Sequence, residues 1–268
     1  MRPTTLILRA AGTNCDVETA FAFERAGSDT QTLHINRLLE NPSLMARFQI
    51  LAIPGGFSYG DDISAGRILA GQLMHHLRDV LHRFIDDGKP VIGICNGFQV
   101  LVKTDLLPGP IGNRTGQTAT LTNNDSQRFI DRWIRLAPRG QLCIWTQGLP
   151  PLELPIAHGE GKFVPIDAAV RKALADNDQI ALVYANAKDQ PAERGFPDNP
   201  NGSTDDIAGV CDPTGRVFGL MPHPERHIHP TQHPNWPSRP MADSVDGPGL
   251  RIFQNAVEFV THAIPATL

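Results

Sequence analysis

Short apolar runs alternate with amphipathic stretches over the first hundred residues. A strand buried on both faces reads as a continuous apolar run, so this rhythm predicts a parallel sheet covered by helices. The predicted strands are Leu6-Ile7-Leu8, Gln31 to Ile35, Ile50 to Ile53 and Val91 to Ile94. Between them a helix is predicted from Asp16, a residue able to cap, to about Ala26, with Gly27 as its stop. Asn41-Pro42 opens a short helix by the cap-then-proline rule, and one long helix is predicted from about Ser64 to Asp87, ended by Gly88-Lys89-Pro90. After Pro108-Gly109 the texture changes to apolar/polar alternation, clearest from Gln127 to Leu136, which suits antiparallel strands with one wet face. Ile180 to Tyr184 and Ile207 to Val210 are further strands, and Asp212-Pro213-Thr214-Gly215 turns the chain into Val217 to Leu220 as a hairpin. Proline-rich residues 227–248 show little periodicity and predict an irregular surface insertion before an amphipathic helix from Gly249 to about Ala263. The expected architecture is an α/β fold with a mostly parallel central sheet flanked by helices and an antiparallel elaboration.

Length and composition narrow this further. The 268 residues suit one elaborated domain spanning 1–268. A net charge of −4 with both signs interspersed offers no electrostatic footprint for nucleic acid or an anionic membrane, so neither is an expected partner. Cys15, Cys95, Cys143 and Cys211 are far apart and form no C-x-x-C pair, which points to a reducing cytoplasm rather than a disulfide framework. The N-terminal apolar run is brief and no segment approaches the ~18 apolar residues of a membrane span, so a soluble, non-exported protein is expected. Asn201-Gly202-Ser203 accordingly reads as a turn rather than a glycosylation site.

Candidate chemistry centres on Gly93-Ile94-Cys95-Asn96-Gly97-Phe98-Gln99. One cysteine stands between two glycines directly after an apolar strand. That is the pattern of a nucleophile elbow, where a strand turns sharply into a helix and the residues two before and two after the nucleophile must be small. The start of the helix favours thiolate over thiol. A nucleophilic thiol needs a base, and the base needs an acceptor on its other ring nitrogen. Pro222-His223-Pro224-Glu225 supplies both, because alternate side chains of an extended segment point the same way. A surface turn with an incidental His and Glu is the plain alternative. His223, His227, His229 and His233 invite a metal reading, but the intervening prolines prevent a regular helix and His223 is better used as the base, so no metal is expected. The chain also lacks a phosphate-binding G-x-x-x-x-G-K-[ST] loop.

The G-x-C-x-G-x-Q elbow, Pro54-Gly55-Gly56 and the His-x-Glu pair, in this order, resemble a class I (triad-type) glutamine amidotransferase. Gly12-Thr13-Asn14-Cys15-Asp16, Gly55 to Asp61, Cys95 to Gln99, His158 to Phe163 and Pro222 to Arg226 make the chain similar to the glutaminase subunits of phosphoribosylformylglycinamidine synthases of purine biosynthesis. The resemblance implies the flavodoxin-like amidotransferase fold. It also implies that Cys95 attacks the side-chain amide of L-glutamine, with His223 as acid and base and Glu225 as its orienter. The oxyanion hole would be the backbone N–H groups of Gly56 and Asn96, and the substrate's amino-acid end would meet Gly55, Gln99, His158 and Gly159. No cofactor is expected in this subunit. ATP and magnesium would belong to a large synthetase partner, joined by a small accessory subunit.

Several readings stay open at this level. Gln99 also suits a helix-packing role, Glu160 and Lys162 suit an exposed ion pair, and Asn14 or Asp16 suits a helix cap. The segment between Arg226 and Gly249 looks longer than in compact bacterial members, and Asp61-Asp62-Ile63 reads as a variable stretch. The rival functions are an amidase of the same fold serving another acceptor, and a noncatalytic module using the elbow cysteine as a redox sensor.

Overall fold

The computed structural model describes residues 2–114, 116–193, 195–238 and 245–263. Its strands are β1 (Thr4–Arg9), β2 (Asp29–His34), β3 (Ile50–Ile53), β4 (Val91–Ile94), β5 (Ala119–Thr122), β6 (Ile130–Pro138), β7 (Leu152–His158), β8 (Lys162–Pro165), β9 (Ile180–Ala185), β10 (Ile207–Cys211) and β11 (Val217–Leu220). Its α-helices are α1 (Asp16–Ala26), α2 (Ile35–Glu40), α3 (Arg67–His76), α4 (Arg78–Asp86), α5 (Asn96–Lys103), α6 (Ala168–Asp176) and α7 (Leu250–Ala263). Nine strands form one sheet in the order β2-β1-β3-β4-β11-β10-β9-β6-β7, and β5 and β8 form a separate ribbon. β2, β1, β3, β4 and β11 run parallel, whereas β10, β9, β6 and β7 continue the same sheet antiparallel. The predicted antiparallel elaboration is therefore an extension of the central sheet.

Every residue of β3 and β4 is buried, as their unbroken apolar runs require in mid-sheet. Ile53 pairs with Gly93, and Ile94 pairs with Leu220. This register brings the carboxyl ends of β3, β4 and β11 side by side, the edge where open α/β sheets build their sites. The antiparallel half then returns over that edge. Pro155 of β7 accepts a hydrogen bond from the His223 N–H at 2.9 Å, and the Cys95 Sγ lies 3.9 Å from the Ala157 carbonyl.

Two local expectations are corrected. The helix expected over 64–87 is broken at Leu77 (φ −123°, ψ 8°), giving α3 and α4. Leu77 stays buried and the hydrogen bonds from Leu77 to Leu73 and from Leu81 to Leu77 continue, so the apolar periodicity runs through the break and hides it. Neither Asn14 nor Asp16 caps α1. Cys15 occupies the cap position without a side-chain cap, the Asn14 Oδ1 accepts from the Cys15 thiol, and Asp16 pairs with Arg9.

The described part of 227–248 contains single 3-10 turns at Pro230–Gln232 and Trp236–Ser238. It is not wholly superficial, because His227, Ile228 and His233 are buried; residues 239–244 lie outside the described residues. His227 and His233 pack edge-on against Trp133, and both reach Glu153, through its carbonyl and its carboxylate respectively. Among the described residues no helix is long and apolar enough to cross a membrane.

Candidate active site

The turn from β4 into α5 is as tight as its sequence predicts. Cys95 has φ 52° and ψ −104°, a conformation that L residues rarely occupy and that surrounding structure must enforce. The two flanking glycines are what permit it. A Cβ on Gly93 would stand 2.5 Å from the Gly97 carbonyl oxygen, and a Cβ on Gly97 only 1.8 Å from that of Ile53. The strand, the elbow and the helix thus pack backbone to backbone.

β11 delivers the second element. His223 Nδ1 and Glu225 Oε1 are 2.6 Å apart, and both side chains are almost fully buried. Burial alone works against a charged imidazole. The Glu225 carboxylate and the Cys95 and Cys15 sulfurs around it outweigh that and hold His223 well above its ordinary pKa. Its Nε2 has no hydrogen-bond partner. With Nδ1 fixed by Glu225, the imidazole presents one nitrogen for proton exchange. Cys95, His223 and Glu225 therefore lie together, in spite of the long sequence gap between them.

Gly55 separates these groups and needs to be glycine: a Cβ there would lie 2.8 Å from His223 Cε1 and 3.5 Å from Cys95 Cβ. Gly56 adopts φ 144° and bridges to Thr13, while Phe57 N–H donates to the Gly12 carbonyl at 2.9 Å. The glycine loop after β3 is thereby pinned to the loop after β1. Asn96, next to Cys95, accepts from Ser58 N–H and donates to Asp61 (3.2 Å) and Gln99 (2.9 Å). Asp61, from the stretch read as variable, thus bears on the start of α5. Gln99 spends its amide internally, accepting from Asn96 and donating to the Glu160 carbonyl at 2.5 Å, so it ties α5 to the 158–161 loop.

That loop is clamped by Asn124, a residue the sequence did not single out. Its N–H donates to Gly159 O, its Nδ2 to His158 O, and its Oδ1 faces both His158 Nδ1 and Gly161 N–H. Asn201, read as a turn residue, is fully buried and donates to Gly161 O and the Tyr184 hydroxyl. An asparagine carries no sequence signal of such a role, because its partners come from distant strands. Lys162 pairs with Asp125 at 2.6 Å, so of the readings left open the Glu160–Lys162 ion pair is not the one formed.

His158 is neutral in this environment, its pKa lowered to about 3 by burial and, secondarily, by the charge of His223. The group's depressed folded-state pKa gives stability that is present above the unfolded value of 6.5 and lost as pH falls towards 3. Over that window His158 is expected to remove about 1.4 kcal/mol of stability per pH unit. Urea unfolding of the native chain should weaken more steeply between pH 6.5 and 4 than unfolding of His158→Asn; parallel pH profiles would show that His158 is not the buried neutral group.

Cys15 also belongs to this neighbourhood. Its Sγ is 3.1 Å from the position of a Gly55 Cβ and accepts from Arg226 Nη2 at 3.2 Å, while Arg226 Nε pairs with Glu18 at 2.9 Å. Burial pushes the Cys15 thiol up to about 11, against the lowering influence of His223. Cys15 and Arg226 lie in motifs noted in the sequence, but only the fold places them beside His223.

A family model described as a CobB/CobQ-like glutamine amidotransferase domain matches residues 2–260. The chain belongs to this amidotransferase family. It is 50% identical over 256 residues to the phosphoribosylformylglycinamidine synthase subunit PurQ of Dehalococcoides mccartyi, covering 95% of this chain and 96% of that relative. The PurQ subunit of Methanococcus maripaludis strain S2 is 39% identical over 265 residues, covering 96% of this chain and 97% of that relative. Among solved structures, PurLQS from Thermotoga maritima superposes with a TM-score of 0.72 at 27% identity, over 97% of this chain and 100% of the matched chain. A glutamine amidotransferase from the same organism shares the fold with a TM-score of 0.52 at 14% identity, over 97% of each chain. The amidotransferase fold expected from the sequence is thus the fold of this chain.

Proposed function

We propose that this chain is the glutaminase subunit of a phosphoribosylformylglycinamidine synthase in de novo purine biosynthesis, splitting L-glutamine and passing ammonia to the synthetase. The observation that carries the chemistry is the buried His223–Glu225 pair beside Cys95 on its strained elbow. Near-full-length similarity to PurQ subunits carries the choice of acceptor.

Cys95 gives its thiol proton to His223 Nε2 and its sulfur attacks the side-chain amide carbon of glutamine, forming a tetrahedral intermediate. His223 gives its Nε2 proton to the departing nitrogen, and ammonia leaves a thioester on Cys95. The same nitrogen then takes a proton from water as it attacks the thioester, and glutamate is released. Glu225 keeps the imidazole in one tautomer and stabilises its charged form throughout. Each intermediate carries an oxyanion. We assign it to the backbone N–H of Asn96, at the first residue of α5, and of Gly56, in the pinned loop; one such donor is worth roughly 3 kcal/mol of barrier. Gly55 leaves room for the substrate between Cys95 and His223. The His158–Gly159 loop holds the amino-acid end, with Gln99 fixing that loop in place.

Ammonia free in neutral water is mostly ammonium and no longer a nucleophile, so hydrolysis is useful only when coupled to the acceptor. The expected partners are a large synthetase subunit, which binds ATP and magnesium, and a small accessory subunit; the assembly is cytoplasmic. Glutaminase activity should be weak for the chain alone and at least about tenfold higher with the synthetase, ATP and formylglycinamide ribonucleotide, a gain of the size of common inter-site couplings. Steady-state glutamate release measures this. Equal turnover in both states would remove the coupling, and formylglycinamidine ribonucleotide formation from glutamine only by the complete complex would secure the acceptor.

A further inference from the structure

Cys15, Glu18, His223 and Glu225 each place one ligand atom within 4.8 Å of all the others. Thiolate, imidazole and carboxylate together are the donors of a four-coordinate zinc-type site. The inner half of the cluster is not already satisfied by its own contacts. His223 Nε2 and Glu225 Oε2 are buried and have no hydrogen-bond partner. The outer pair, Cys15 and Glu18, is held by a cation already, since the Arg226 guanidinium donates to both. A divalent ion would replace that guanidinium as the charge between them.

We infer that these four residues form an inhibitory site for a thiophilic divalent cation, zinc being the best fit, overlapping the catalytic base. Bond lengths of about 2.0–2.3 Å place tetrahedral ligands roughly 3.3–3.8 Å apart, so the wider contacts of the cluster close by about an ångström while His223 Nδ1 and Glu225 Oε1, 2.6 Å apart, give up their hydrogen bond. On binding, Cys15 gives its thiol proton to solvent and the resulting thiolate bonds the metal; no electron is transferred. The metal takes His223 and Glu225 together, removing both the proton carrier and its orienter. Magnesium, which prefers an all-oxygen octahedral shell, has no such site here. The inhibitory half of this inference rests on His223 being the base, whereas the binding half does not.

The test uses the full chain with Co²⁺ as a spectroscopic stand-in. Because Cys95 lies outside the cluster, Cys95→Ala should still show a thiolate-to-cobalt charge-transfer band saturating at one ion per chain, displaced by Zn²⁺. Adding Cys15→Ala should abolish the band. Its persistence, which would trace it to Cys143 or Cys211, or its absence from Cys95→Ala, overturns the site. In native protein Zn²⁺ should inhibit glutamine hydrolysis reversibly, with activity restored by a chelator. Glu18→Gln, which leaves the triad in place and keeps the fold testable where Cys15→Ala does not, should raise the inhibiting Zn²⁺ concentration at least about tenfold. Unchanged inhibition of Glu18→Gln also overturns the site. Metal binding without inhibition overturns the inhibitory half of the inference, and with it the assignment of His223 as base.

Discussion

Cys95→Ala is expected to lower kcat/KM for glutamine hydrolysis by roughly four orders of magnitude or more, the usual cost of deleting a covalent nucleophile. The expected loss of stability is small, within about 1 kcal/mol, because one sulfur atom is removed and the elbow conformation is enforced from outside. Gly93 and Gly97 let the backbone close on β3, and the Cys95 N–H still donates to Leu220 O at 2.8 Å, a bond that does not depend on the side chain. The measurement is glutamate release by native and variant chains, alone and in the assembled complex, with thermal melting alongside. Retained hydrolysis in the complex would move the nucleophile elsewhere, and Cys15, the other thiol at His223, would be the residue to examine. Lost hydrolysis with a collapsed melting transition would indicate a structural cysteine instead.

The elements that build this site were legible because their signals are local. β3 and β4 carry unbroken apolar runs with the predicted limits, and β4 runs directly into the glycine-flanked cysteine. His223 and Glu225 were legible as a pair because two residues of extended chain suffice to align them, and the 2.6 Å contact is that alignment. The failures have the opposite character. Leu77 breaks a helix while staying buried, so a pattern of apolar spacing cannot register it. Asp16 looks like a cap, but it is drawn to Arg9 across the β1–α1 connection. Lys162 prefers Asp125 to the glutamate two residues before it. Asn124 and Asn201, which hold the 158–161 loop, acquire their roles only from contacts that span tens of residues of chain. The return of β7 over the parallel edge belongs to the same class. Alternation predicted an antiparallel strand, but its hydrogen bond to His223 is a property of the closed sheet.

Gly97→Ala tests how closely that closure is drawn, and its expected effect on the fold is large. A Cβ at Gly97 would stand 1.8 Å from the Ile53 oxygen and 2.7 Å from its carbonyl carbon, both backbone atoms that no rotamer change can clear. The helix must therefore move away from β3 by an ångström or more, at a cost of about 3 kcal/mol, the upper end of ordinary overpacking. Since α5 begins at Asn96, the same movement displaces Cys95 from His223, and misplacement on this scale costs roughly a hundredfold in rate. Gly71 is the control. It lies inside α3, nothing stands within 4 Å of an added Cβ, and Gly71→Ala should stabilise the chain by about 0.5–1 kcal/mol with unchanged hydrolysis. Urea midpoints and glutaminase rates of the two variants separate the explanations. If Gly97→Ala matches the native chain in both, α5 does not rest on the β3 backbone and the strained elbow needs another cause. If it loses stability yet keeps its rate, the position of Cys95 is set by Leu220 and β11 rather than by the seat of the helix.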